Sequence, residues 1–203
     1  MGKVISVPRQ TRPCSHLSQA IKNASSFHGD AKRFYTIGES AGGGLAFQIA
    51  NKVKRDPELK DSLKGIVALV PLTVHYDHVP AKYKSMYKAF TENATDVPIL
   101  DKNSVDIFYR ELGVDPKDPE VFILLAEDIH KDFPPTYLVS CEYDPLRDDA
   151  YAMEMALMEA KVPTKHDHYK GLPHVFWTIP SLPEGKQFVG NLLAGIGWLQ
   201  SQM

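Results

Sequence analysis

Phe34-Tyr35-Thr36-Ile37 is a short apolar stretch that runs directly into Gly38-Glu39-Ser40-Ala41-Gly42-Gly43. Leu45, Ile49 and Val53 then recur at helical spacing, with Ala46 and Ala50 beside them. A strand that meets a helix with no loop between them must reverse in one tight turn, which lifts the serine at its apex clear of the sheet. Glycines are expected at Gly38 and Gly42 because a side chain there would collide with the neighbouring strand or helix. The helix points its N-terminus at Ser40, so its unpaired N–H groups and dipole favour negative charge beside that hydroxyl.

The rest of the chain repeats the alternation. Gly65 to Val70 is a continuous apolar run of the kind that parallel strands show when both faces are buried. Pro135 to Cys141 reads as another strand, and Asp148 to Lys161 as a helix with acids in its first turn and Pro163 after it. Thr164 to Tyr169 reads as a strand carrying His166 and His168 on one solvated face. The last helix places Phe188, Leu192, Ile196 and Leu199 on one side. Val4 to Val7 reads as a short strand ending at Pro8, and Leu17 to Ser26 as weakly helical. Residues 75 to 133, rich in Tyr, Pro, Asp and Lys, read as a lid-like insertion of short helices and loops, with a helical pattern at Tyr83, Met86, Tyr87 and Phe90. Strands alternating with helices predict one α/β domain over residues 1 to 203, built on a mostly parallel sheet flanked by helices.

Size and charge narrow the function classes. A chain of 203 residues with 43% hydrophobic residues can bury roughly 70% of its unfolded surface. Net charge is −2 with no long basic run, which argues against nucleic acid as a partner. No apolar run approaches the ~20 residues of a membrane span. Met1 to Ser6 lacks the apolar core of a secretory signal, and Cys14 and Cys141 make no disulfide framework; a cytoplasmic location fits. Gly2 with Ser6 matches an N-myristoylation pattern, set against the plainer reading of a strand. Asn23-Ala24-Ser25 and Asn93-Ala94-Thr95 match the glycosylation sequon but read as unmodified surface residues.

A serine hydroxyl becomes a useful nucleophile only beside a base that a carboxylate orients. Where the serine sits on such a strand-to-helix turn, the order along the chain is Ser, then Asp or Glu, then His, each at a strand end. Asp144 follows the Tyr137 to Cys141 strand, with Pro145 setting the turn. Glu142, Asp148 and Asp149 are its rivals, the last two also fitting the first turn of the next helix. His174 lies in Gly171-Leu172-Pro173-His174-Val175-Phe176-Trp177, after the last strand. His75 and His78 lack a third ligand at sensible spacing for a metal. His16, His28 and His130 sit in polar segments.

With these residues in view, the chain resembles the hormone-sensitive-lipase-like branch of the α/β-hydrolases, the fold-3 carboxylesterases, of a fungal type. Gly38-Glu39-Ser40-Ala41-Gly42-Gly43, Asp144-Pro145-Leu146-Arg147-Asp148 and Gly171-Leu172-Pro173-His174 carry the resemblance, which covers about residues 24 to 203. It implies a serine esterase for short-chain or aromatic esters, with Ser40 as nucleophile, His174 as base and acid, Asp144 as orienter, and no cofactor. Tyr83, Tyr87, Phe90, Phe176 and Trp177 then either line an apolar substrate pocket or form ordinary core.

The chain departs from this branch at its N-terminal side. The branch carries a His-Gly-Gly-Gly loop upstream of the serine, whose N–H groups bind the oxyanion. Here His28-Gly29 is the sole His-Gly pair, just ahead of the elbow strand. The expectation is a fold lacking the family's first strands, with Ala41 N–H as the one obvious oxyanion donor. Losing a donor costs roughly 10²–10³ in turnover. It also leaves the elbow strand at a raw sheet edge, to be covered by Val4 to Val7 or by self-association. The alternative function is a non-catalytic small-molecule binder or partner protein.

Overall fold

The computed structural model describes residues 19–202. Four strands, β1 (Phe34–Glu39), β2 (Leu63–Leu69), β3 (Thr136–Tyr143) and β4 (Thr164–Pro173), form one sheet in that order, every pair parallel. Helix α1 (Ala41–Arg55) returns the chain from β1 to β2, and α4 (Arg147–Glu159) from β3 to β4. Between β2 and β3 lie the short α2 (Ala89–Glu92), the longer α3 (Lys102–Leu112) and several 3-10 turns. Helix α5 (Glu184–Ser201) follows β4.

Successive strand residues face opposite sides, and the two cores follow that alternation. Ile66, Ala68 and Leu138 pack with Phe47, Ala50 and Val53 of α1 and Met153, Ala156 and Leu157 of α4. Val67, Leu69, Tyr137 and Val139 pack on the other side with Phe188 and Leu199 of α5. An inner strand of a sheet covered on both faces is apolar at nearly every position, which is why Gly65 to Val70 in β2 is uninterrupted.

The insertion consists of short helices and loops. The helical spacing from Tyr83 to Phe90 does not make one helix. It splits into a 3-10 turn at Ala81–Tyr83 and the one-turn α2. The break has a tertiary cause: the Asp148 carboxylate takes the N–H groups of Lys88 and Ala89 and starts a new turn there. Helix α3 carries its own signals, an Asp101 cap accepting from Ser104 N at 2.8 Å and a left-handed Gly113 at its end.

Among the described residues β1 pairs only with β2, and Ile37 stands 58% exposed. The covering strand expected at Val4 to Val7 lies outside the described residues, as do Gly2, Cys14 and His16. Among the described residues no helix is long and apolar enough to cross a membrane.

Candidate active site

Main-chain hydrogen bonds hold the turn after β1. Ser40 N–H donates to Leu69 O at 2.9 Å, Leu72 N–H donates to Ser40 O at 3.3 Å, and Gly44 N–H donates to Ser40 O at 3.2 Å. These bonds hold Ser40 at φ 55 and ψ −123, a conformation that costs a non-glycine residue roughly 1–3 kcal/mol. Val70, after β2, and Val175, next to His174, also have positive φ (41 and 47) although both are β-branched. Three of the seven non-glycine residues with positive φ among the described residues thus stand at or just beyond the ends of β1, β2 and β4.

The glycine requirement falls at Gly38 and at Gly44, where a Cβ would sit 2.4 Å from Leu72 O, rather than at Gly42. A Cβ on Gly38 would sit 2.0 Å from Gly42 O, so strand and helix cannot approach this closely with any side chain there. Gly42 itself, expected to need the same relief, has open space around its Cβ position. What Gly42 contributes is the backbone that Gly38 abuts.

Three separated side chains meet at this turn. His174 Nε2 lies 2.9 Å from Ser40 Oγ, and His174 Nδ1 lies 2.7 Å from Asp144 Oδ2. Asp144 is fully buried and His174 is 4% exposed, while Ser40 is partly open and Ala41 is exposed. The buried carboxylate accepts the Nδ1 proton, which leaves Nε2 as the acceptor facing the serine hydroxyl. Asp144 Oδ1 accepts from Leu146 N at 2.8 Å, so the turn around Pro145 fixes the carboxylate plane. Ser40 makes no side-chain cap to α1, and Ala41 is the first helical residue. Its N–H has no partner within the helix.

Neighbouring contacts hold the platform. Glu142 Oε2 accepts Gly171 N at 2.6 Å, tying the end of β3 to the stretch before His174. Trp177 Nε1 donates to Glu39 Oε2 at 3.0 Å while its ring stacks on Phe188 at 4.0 Å. The loop after His174 is thereby locked both to the serine turn and to α5.

Among the rival acids, Asp148 and Asp149 prove to be buried ties rather than simple first-turn acids. Asp149 Oδ1 accepts from Thr73 N at 2.7 Å and Val74 N at 3.0 Å, and Oδ2 from Tyr87 OH at 2.5 Å. Burial pushes its carboxyl up to about 7, against the pull of those hydrogen bonds. An unfolded aspartate titrates near ~3.9. The folded state therefore favours the neutral acid, so this contribution to stability is complete below about pH 4 and lost as pH rises through about 7. Asp149→Asn keeps the shape and cannot ionise. The melting temperature of the parent is expected to fall relative to that of Asp149→Asn between pH 5 and 8, by an amount worth a few kcal/mol. Parallel melting curves over that range would show that the group does not titrate there.

The apolar candidates separate. Tyr83 (1% exposed), Phe90 (6%) and Phe176 (0%) are packed as core residues, and the Tyr87 hydroxyl is committed to Asp149. Trp177 is partly exposed and flanks a surface cavity of about 350 Å³ with Ile179, Leu182 and Pro183.

The histidines divide, and His166 corrects its sequence reading. The His166 side chain is not solvated: Nδ1 lies 2.7 Å from Glu154 Oε2, and Nε2 lies 2.8 Å from the buried Ser140 Oγ. His168 is exposed, with Nδ1 2.9 Å from the same hydroxyl. His130 is buried and bonds Ile123 O at 2.8 Å, and burial holds its imidazole below the usual histidine range. His75 stacks among Tyr76 and Tyr109, and no cluster of three or more His, Cys, Asp or Glu among the described residues could hold a metal. Asn93, read as a surface residue, is 4% exposed.

Known proteins share this arrangement of elements. The chain is 67% identical over 184 residues to a versiconal hemiacetal acetate esterase of Dothistroma septosporum, covering 91% of this chain and 56% of that protein. It is 39% identical over 168 residues to a versiconal hemiacetal acetate esterase of Emericella nidulans, covering 80% and 58%. The crystal structure of vibralactone cyclase superposes with a TM-score of 0.87 at 34% identity, over 93% of this chain and 55% of that one. The chain thus spans little more than half the length of these relatives. The family model described as alpha/beta hydrolase fold matches residues 10–178, most of the sequence, and the chain belongs to that family, in its fold-3 branch.

Proposed function

We propose that this chain is a serine carboxylic-ester hydrolase acting through an acyl-enzyme. The observation that carries the reading is the unbroken relay from Ser40 Oγ through His174 to the buried Asp144, set at the N-terminus of α1.

The geometry supports the following steps. The Ser40 hydroxyl attacks the ester carbonyl carbon while His174 Nε2 takes its proton. Asp144 holds the imidazole in the tautomer that can accept, and stabilises the imidazolium. The oxyanion faces Ala41 N–H and the positive end of α1. Collapse of the tetrahedral intermediate breaks the carbon–oxygen bond to the alcohol, which leaves with the proton from His174. Water then attacks the acyl-Ser40 ester with His174 again as base, releasing the acid and restoring the serine. Branch resemblance to hormone-sensitive-lipase-like enzymes supports the same chemistry. The names of the relatives point to an acetate ester, and versiconal hemiacetal acetate is the first natural candidate to try.

The test uses p-nitrophenyl acetate and a serine-directed phosphonate on the purified chain. A burst of nitrophenol matching the fraction of protein labelled at Ser40 is the expected result. A folded sample that gives neither burst nor label overturns the reading in favour of a non-catalytic binder.

A further inference from the structure

We propose that Asn93 is a positioning residue for Asp144, and that α2 is a bracket clamped onto the turn that carries this acid. The inference rests on the reading of Asp144 as the group that orients His174.

The bracket is built from side chains of both segments. Asn93 Nδ2 donates to Glu142 O and to Asp144 O, each at 3.0 Å, so both amide hydrogens are committed. The pairing of β3 with β2 ends at Val139, and the 142–144 stretch lies beyond it. Arg147 donates to the same two carbonyls, its N–H to Asp144 O at 3.0 Å and its Nη1 to Glu142 O at 3.5 Å, and Asn93 is the group from α2's end that bonds both at once. At the other end of α2, Asp148 Oδ2 accepts from Lys88 N and Ala89 N, each at 2.6 Å. Arg147 completes the clamp, with Nη2 on Glu92 Oε2 at 2.7 Å and Nε on Asp148 Oδ1 at 2.8 Å. A helix of one turn cannot stand by itself, and here both of its ends are gripped by the acid turn.

Asn93 does not touch the Asp144 carboxylate, whose oxygens are committed to Leu146 N and His174 Nδ1. It acts through the backbone. The carbonyls of residues 142 and 144 set the orientation of the intervening peptides, and so the direction in which the carboxylate leaves the turn. A neutral carboxamide suits this task, since it brings two donors in one plane and adds no charge of its own. The sequon at Asn93-Ala94-Thr95 gains a different meaning: the nitrogen a glycan would occupy is already a strut inside the fold.

The experiment compares Asn93→Asp, Asn93→Ala, Asn93→Ser and Thr95→Ala in the full chain, by kcat and KM on p-nitrophenyl acetate and by the proton resonance of His174 Nδ1–H. That resonance is identified by its loss in His174→Ala. Asn93→Asp and Asn93→Ala are expected to lower kcat ~10²-fold with KM little changed, the penalty of a misplaced catalytic group. The Nδ1–H resonance should shift or broaden in both. Asn93→Ser, which is polar and smaller but stops one bond short of the two carbonyls, should lose kcat like Asn93→Ala, and Thr95→Ala, which abolishes the sequon at an exposed position, should match the parent. If the first two variants fail to fold, Asn93→Ser decides. A folded Asn93 variant with unchanged kcat and an unchanged resonance overturns the proposal, as does a change in melting temperature alone. If the parent itself does not hydrolyse the ester, the esterase reading fails, and the resonance by itself decides the positioning role.

Discussion

Ser40→Ala is expected to lower ester turnover by about 10⁶-fold, as loss of the attacking atom does in serine hydrolases generally. Phosphonate labelling should vanish with it. The fold should survive, because the serine side chain caps nothing and its turn is held by main-chain bonds to Leu69, Leu72 and Gly44. A second substitution separates chemistry from strain. At φ 55 any side chain is penalised, whereas glycine is not. Ser40→Gly should therefore be as inactive as Ser40→Ala yet more stable by about 1 kcal/mol, the strain relief less the extra entropy of an unfolded glycine. Thermal melts of the two variants read this directly. Residual turnover within tenfold of the parent in either variant would place the nucleophile elsewhere.

The second large effect belongs to Asp144→Asn, expected to reduce kcat by about 10⁴-fold with little change in KM. The substitution preserves an oxygen for Leu146 N, so the turn around Pro145 should hold. The other atom becomes an N–H donor facing His174 Nδ1, where the parent has an acceptor 2.7 Å away. Imidazole then adopts the opposite tautomer, with Nε2 protonated toward Ser40 and unable to take its proton. Labelling by the phosphonate should slow in parallel, since it needs the same activated hydroxyl. A loss of less than tenfold would mean that Asp144 does not set the tautomer of His174.

How much of this was legible in the chain depends on the distance over which each feature is specified. The strand, turn and helix around Ser40 are local. Hydrophobic spacing, two apolar stretches and a close approach at Gly38 all lie within about twenty residues, and the structure has them where the pattern predicts. The candidate acid and base were readable because each sits where a parallel strand ends, Asp144 after the buried apolar run of β3 and His174 after the polar strand β4. The bracketing residues carried no such mark. Asn93 bonds a carbonyl 51 residues away, and Asp149 a backbone amide 76 residues away. The same is true of the His166–Ser140 pair, 26 residues apart, which a period-two strand pattern assigns to solvent.

The sequence by itself determined the alternation of elements, the two-faced burial of the sheet and the identity of Ser40, Asp144 and His174 as the groups to watch. Periodicity and turn chemistry encode those within single elements. Only the tertiary structure decided that Tyr83, Phe90 and Phe176 belong to the core, that Asp149 is buried as a tie, and that the insertion clamps the acid turn. Those outcomes depend on which polar groups are left without water when distant segments pack together, and a buried carbonyl or amide must then take whatever partner the fold brings within hydrogen-bond reach.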